Sequence, residues 1–228
     1  VYYRNSVGAI EPNIINMLTD YPEKVNKCSF YTYIFFLVVM VFINNIYVLN
    51  LQENIEPKIN NSILLFVILY FLMNIIFHEL GHIYSLKFFG RKIDKVGFKL
   101  NFYVFPAFYV QMNETYMLSQ IDKIIVHSFG LFVNFALINF IQLLNILIIN
   151  NISLTLSYML FSSTMIWNLV PMLNSDGYKI MLALLSLDEF SNFTKNHWLV
   201  LIFQIIGVSI ALNTLIHWVI YWSEYLFL

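Results

Sequence analysis

Long apolar runs, broken by short polar clusters, dominate the chain. A helix needs about 20 mainly apolar residues to cross a hydrocarbon core about 30 Å thick. Five stretches meet that length, at about Phe30–Leu49, Ser62–Phe89, Lys123–Ile149, Ile152–Met172 and Trp198–Trp222. The second and third are longer than needed, so each has room to tilt or to project past the bilayer. Asparagines cluster at one set of ends, at 44–45, 50, 60–61 and 150–151. No internal repeat or low-complexity tract interrupts the pattern.

The apolar, aromatic stretch at about 97–118 is too short to cross and return as helices. Phe98, Leu100, Phe102 and Val104 alternate with Lys99, Asn101, Tyr103 and Phe105, the period-two pattern of a strand. Pro106 is expected to break that run, with Phe108 to Gln111 as a return strand. Non-helical backbone at membrane depth is tolerated only against protein or a wet cavity, so a short re-entrant hairpin is expected here. The alternative is an amphipathic segment lying on the inner leaflet. Ser119 followed by Asp122 predicts a capping box at the start of the third span.

Composition sharpens this picture. The 228 residues are 60% hydrophobic, 18% aromatic and only 11% charged, where a soluble domain carries about a quarter charged residues. Mean hydropathy is +0.72. The expected fold class is therefore an all-α polytopic membrane protein with about five transmembrane helices, embedded in the lipid bilayer. A net charge of −1 excludes the basic footprint of a nucleic-acid binder. The single cysteine, Cys28, excludes an intrachain disulfide and a cysteine-rich metal site. Residues 1–27 do not read as a signal peptide, and the start at Val1 leaves open an upstream piece. With residues 1–28 cytoplasmic, eleven of the twelve Lys and Arg lie inside and only Lys58 outside, as the positive-inside rule requires. A multi-pass protein of the plasma membrane is expected, N-terminus inside. The chain divides into an interfacial segment (1–28), a first span with its outer loop (29–61), a core (62–187) and a last span (188–228).

The second span contains His78-Glu79-Leu80-Gly81-His82. Positions i and i+4 of a helix share a face, so both imidazoles can bind one Zn²⁺, with Glu79 beside them as a base. HExxH recurs by chance, but an acidic group at the centre of a span costs roughly 2.5–3.5 kcal/mol on insertion scales and persists only where it pairs, faces water or serves a metal. A catalytic zinc site typically takes three protein ligands and leaves one position open. Asp176, followed by Gly177 at the end of the fourth span, is the best remaining ligand; its structural alternative is to cap the next helix. His78 and Asn168 each lie sixteen residues from the outer edge of their span, about 24 Å at about 1.5 Å per residue. Pro171 would disturb the fourth helix and let the chain turn towards the metal. Gly130, with His127, reaches a similar level on the third span.

HExxH, Gly130-x-x-x-Asn134 and Asn168-x-x-Pro171-x-x-x-x-Asp176-Gly177 on three separate spans resemble the site-2 protease family of intramembrane zinc metalloproteases. The likeness covers about residues 62–187, and the chain looks like a compact bacterial member. It departs from the family at Leu131, commonly Pro, and at Ser175, commonly Leu; neither removes a ligand. The resemblance implies that His78, His82 and Asp176 hold one zinc ion and that Glu79 is the general base. It implies that Asn168, with Asn134, hydrogen-bonds the substrate backbone or the developing oxyanion; Asn134 can equally be a helix–helix contact. Phe102 and Val104 would lie on a strand edge that receives the substrate by β-addition.

The expected activity is hydrolysis of a membrane-associated or transmembrane peptide, such as maturation of a small peptide or leader. Regulated cleavage of a signalling membrane protein is the enzymatic alternative. A metal-binding transporter or silent scaffold is the non-enzymatic one, disfavoured because polar residues collect near one face and because a scaffold does not need Glu79. His127 is expected to be a hydrogen-bonded interior histidine, with a group beside the site or a proton relay as the alternatives. The tryptophans and many tyrosines fit interfacial belts; Cys28, His197 and His217 receive no role.

Overall fold

The computed structural model describes residues 22–55, 61–101, 105–171, 175–187, 189 and 196–227. Helix α1 (Lys27–Asn54) starts at Asn26, whose side chain accepts a hydrogen bond from the Ser29 amide at 2.7 Å. Only a narrow stripe of it, Phe30, Leu37, Asn44, Val48 and Leu51, is buried. Phe35 and Phe42 on its other faces stay 63% and 65% exposed. A helix apolar on every face and buried on one is suited to lipid on the rest.

Helix α2 (Asn61–Phe88) buries Val67, Tyr70, Asn74, His78, His82 and Ser85 along one face. The two histidines therefore sit on the packed side of an otherwise apolar helix. The helix stops at Gly90, whose φ of +74° suits a residue without Cβ, and Arg91 donates back to the Leu86 carbonyl at 3.1 Å.

Strands β1 (Lys95–Asn101) and β2 (Phe105–Gln111) form an antiparallel hairpin. A hairpin is present, but the first strand ends at Asn101 rather than at Phe105, and Phe105 and Pro106 already belong to β2, in register with Asn101 and Leu100. A two-stranded ribbon leaves each strand an unpaired edge, where a missing N–H costs no ladder bond. Phe98 and Phe108 face each other across the pair at 5.5 Å. At the base, Asp94 accepts from the Asn113 amide at 2.8 Å and Glu114 from the Lys92 amide at 2.9 Å. Phe102 and Val104 lie outside the described residues.

A short turn of helix (Asn113–Met117) leads into α3 (Gln120–Leu144), the central element, which packs against α1, α2 and the helices that follow. Ser119 caps it through the Asp122 amide, but the capping box is not reciprocal. The buried Asp122 carboxylate instead accepts from the backbone amides of Lys24 and Val25 at 3.0 and 3.3 Å, tying the start of the described chain to α3. A wider turn (Asn145–Ile149) ends α3 at Asn150. Helix α4 (Ile152–Leu169) stops one residue before the position preceding Pro171, as the proline requires. Helix α5 (Asp176–Leu184) follows with Ser175 as its cap, and α6 (Trp198–Phe227) closes the chain.

Among the described residues three helices are long and apolar enough to cross a membrane, Lys27–Asn54, Ile63–Phe88 and Gln120–Ile149, and Trp198–Ile210 is a shorter apolar stretch. The fourth expected span ends early at Leu169, giving 18 residues. The molecule is an all-α membrane protein with one small hairpin. Two buried apolar clusters hold it together. One gathers Leu37, Tyr70, Phe135, Tyr158 and Phe161; the other gathers Phe30, Leu86, Val110, Ile125 and Val126.

Within the first cluster runs a buried polar knot. Asn44 donates to Tyr158 at 2.6 Å and to Asn139 at 3.2 Å, and Tyr158 donates to Asn139 at 3.0 Å. Its Asn139 lies five residues beyond Asn134 on α3, about 7.5 Å along the axis. Such amides join helices in lipid, where each hydrogen bond contributes about 0.6–2 kcal/mol. Replacing Asn44 with Leu should lower the unfolding midpoint in detergent while leaving zinc content unchanged, as read by thermal melts beside metal analysis.

Candidate metal centre

His78 and His82 leave α2 at the seam between the two apolar clusters, one turn apart on its buried face. Asp176 reaches them because α4 ends at Leu169 and the chain folds back to open α5. Its Oδ2 lies 2.8 Å from His78 Nε2 and 3.3 Å from His82 Nε2, and the two Nε2 atoms are 3.2 Å apart. All three residues are buried. A tetrahedral ion bonded at about 2.0–2.1 Å has ligand atoms about 3.3 Å apart, so this triangle has the dimensions of one face of a zinc tetrahedron. Among the described residues these three form the candidate metal cluster. Asp176 is thus both the first residue of α5 and a member of the triad, while the capping role falls to Ser175.

The groups behind the triad set its orientation. Val126 O lies 2.9 Å from His82 Nδ1, which places the ring proton there and leaves Nε2 free for a metal. The Asn134 amide lies 3.2 Å from His78 Nδ1, and Asn134 Oδ1 has no other partner among the described residues. A metal on His78 Nε2 requires the proton on Nδ1, which is then best met by the amide oxygen turned towards it. Asn168, on α4, donates to Asp176 Oδ2 at 3.3 Å and accepts from the Asp176 amide at 3.4 Å. Both asparagines expected to meet substrate therefore also hold ligands, a function that spacing alone did not reveal.

Two glycines make the approach possible. A Cβ on Gly130 would stand 2.5 Å from His82 Nε2 and 2.9 Å from His78 Cε1. Any side chain at 130 would displace the imidazoles. Gly177 has a similar basis: a Cβ there would meet the Leu169 carbonyl oxygen at 2.0 Å.

The triad and Glu79 line a cavity of about 720 Å³ between α2 and α4, closed on one side by β2. Glu79 is half-buried in that wall and stands apart from the three converging groups. Three ligands with a fourth side facing a cavity is the arrangement of a catalytic rather than a structural zinc site. His127, on α3, has its Nδ1 buried without a hydrogen-bond partner among the described residues, which speaks against the hydrogen-bonded interior histidine and leaves a group beside the site. Lys179, one turn after Asp176, also lines the cavity, and nothing in the motif spacing drew attention to it.

Two histidines and an aspartate converging beside a cavity fit the metal site of a zinc hydrolase. Among curated proteins, the "Putative peptide zinc metalloprotease protein YydH" of Bacillus subtilis (strain 168) is 53% identical to this chain over 221 residues, covering 96% of the chain and 88% of that protein. The chain belongs to the same family of zinc metalloproteases. Neither the family models nor the solved structures provide a match. The chain is accordingly a zinc enzyme, which removes the transporter and the silent scaffold from consideration.

Gly130→Ala should abolish stoichiometric zinc binding in the purified protein while leaving its helical content intact, as read by metal analysis and circular dichroism. Asn134→Ala should weaken zinc by about 10–100-fold, the usual cost of losing a group behind a ligand. A competition titration against a chelator measures it.

Proposed function

We propose that the chain is a membrane-embedded endopeptidase of the site-2 protease type, which hydrolyses one peptide bond in a membrane-associated peptide. The observation that carries this reading is the cavity beside Glu79, His78, His82 and Asp176, set among helices long enough to span lipid. The curated relative is named a peptide zinc metalloprotease, which favours a peptide over a large signalling protein as substrate. The positive-inside bias supports a cytoplasmic N-terminus in the plasma membrane, with the site open towards the cytoplasm.

His78, His82 and Asp176 hold the ion, which when bound acidifies a water and polarises the scissile carbonyl. Glu79, adjacent to His78 but outside the triad, removes a proton from the attacking water and returns it to the leaving amine. Asn134 and Asn168 keep His78 and Asp176 in place, and both line the cavity, where their amides can reach the substrate backbone. The apolar walls exclude bulk water and strengthen each of these interactions.

An extended substrate is accommodated beside β2, whose residues Phe108 to Met112 border the cavity. Strand addition to the hairpin replaces the internal hydrogen bonds that a helical substrate loses on unwinding. Introducing Pro at Phe108 or at Tyr109, neighbours whose amides point to opposite edges of β2, should in one of the two reduce cleavage without loss of zinc, and unchanged turnover in both would remove the strand from the reading.

Glu79→Gln separates catalysis from metal binding. The variant should retain one zinc per chain yet fail to cleave a membrane peptide that the unaltered protein processes, with mass spectrometry of the products as the assay. Cleavage at the original rate would show that another group carries the proton.

A further inference from the structure

Lys179 is the only Lys or Arg among the described residues lining the metal cavity, whose acids are Glu79 and Asp176. Its Nζ lies 3.8 Å from Asp176 Oδ1 and its side chain is 38% exposed. That distance is well beyond the roughly 2.7–2.9 Å of a direct charged hydrogen bond, so the ammonium is not committed to Asp176. The other carboxylate oxygen already serves both imidazoles and Asn168. Beyond Lys179 lies a second cavity of about 770 Å³, bordered by Lys123, His127 and the acids Glu23 and Glu189. Val110, Met112 and Lys179 belong to both cavities, so the lysine stands at their junction.

Charge balance gives this position a meaning. When the triad holds a divalent ion, Asp176 and Glu79 together offset its two charges. Among the groups lining the metal cavity the Lys179 charge is then left over, on a partly exposed side chain that can turn towards a ligand. The opposite end of the metal cavity, at Phe71, Ile75, Phe161 and Met165, is apolar. The cavity is therefore polarised, greasy at one end and cationic at the other.

We propose that Lys179 is a carboxylate subsite, which binds an anionic group of the peptide on the second-cavity side of the scissile bond, with apolar side chains seated at the other end. The proposal rests on the endopeptidase reading and specifies its substrate class. The carboxylate has two sources. One is an acidic side chain of the substrate. The other is the new terminus formed when R–CO–NH–R′ and water give R–COO⁻ and R′–NH₃⁺.

The test uses the zinc-loaded full chain in lipid nanodiscs. Quenched-fluorescent peptides share one apolar core and carry Asp, Asn or Lys at successive positions beside the cut. In parallel, product peptides ending in a free acid or an amide are titrated by calorimetry into the Glu79→Gln variant, with and without Lys179→Gln. For a side-chain source, Asp should be favoured over Asn by about tenfold, mainly in KM, the preference should flatten in Lys179→Gln, and it should turn towards Lys in Lys179→Glu. For a product source, free acids should bind about tenfold more tightly than amides, and only while Lys179 is present. If neither preference depends on Lys179, or if Lys179→Gln loses its zinc, the residue is only a brace for Asp176 and the proposal is overturned. Failure of the endopeptidase reading has a different signature, with no peptide cleaved above the Glu79→Gln background while the titration still reports on the subsite.

Discussion

The close approach of α2 and α3 is the constraint on which the centre depends. Where they cross, Gly81 faces Gly130, and a Cβ on the former would lie 3.1 Å from the Cα of the latter. With no side chain between them, the His78 and His82 rings lie against the α3 backbone. The same proximity brings the Val126 carbonyl to one ring and the Asn134 amide to the other. Small residues allow membrane helices to pack tightly because no hydrophobic force drives them together in lipid. Here that packing also determines where the ligand nitrogens point.

The electrostatics follow from the same geometry. Two imidazoles and a carboxylate are buried together, and each is held by a further polar group from α3 or α4. Isolated polar groups at this depth would be strongly unfavourable, and each partner both offsets that cost and fixes an orientation. Asp176 is steered from two directions, by Asn168 at the end of α4 and by the start of α5. The break between those helices is therefore part of the centre. A continuous helix through Pro171 would carry the carboxylate past the histidines.

The hairpin and the polar knot serve different ends of the molecule. The hairpin closes the cavity with β2 and is secured by Asp94 and Glu114 at its base. The knot of Asn44, Asn139 and Tyr158 fastens α1 to the far part of the bundle. Its presence shows that buried amides in this chain carry both packing and chemistry, so residue type alone does not separate the two.

The membrane character, the two histidines one turn apart and the presence of a hairpin were legible in the sequence, because each depends on local periodicity; where the hairpin turns and where α4 stops were not. Asp176 was also legible, as an acid at an apolar helix end. What Asn134, Asn168 and Gly177 touch was not, since their partners come from other elements or across a chain reversal. The non-reciprocal cap at Asp122 and the position of Lys179 between two cavities likewise depend on segments distant in sequence. Periodicity determines which face a residue occupies; only the packed helices decide what that face meets.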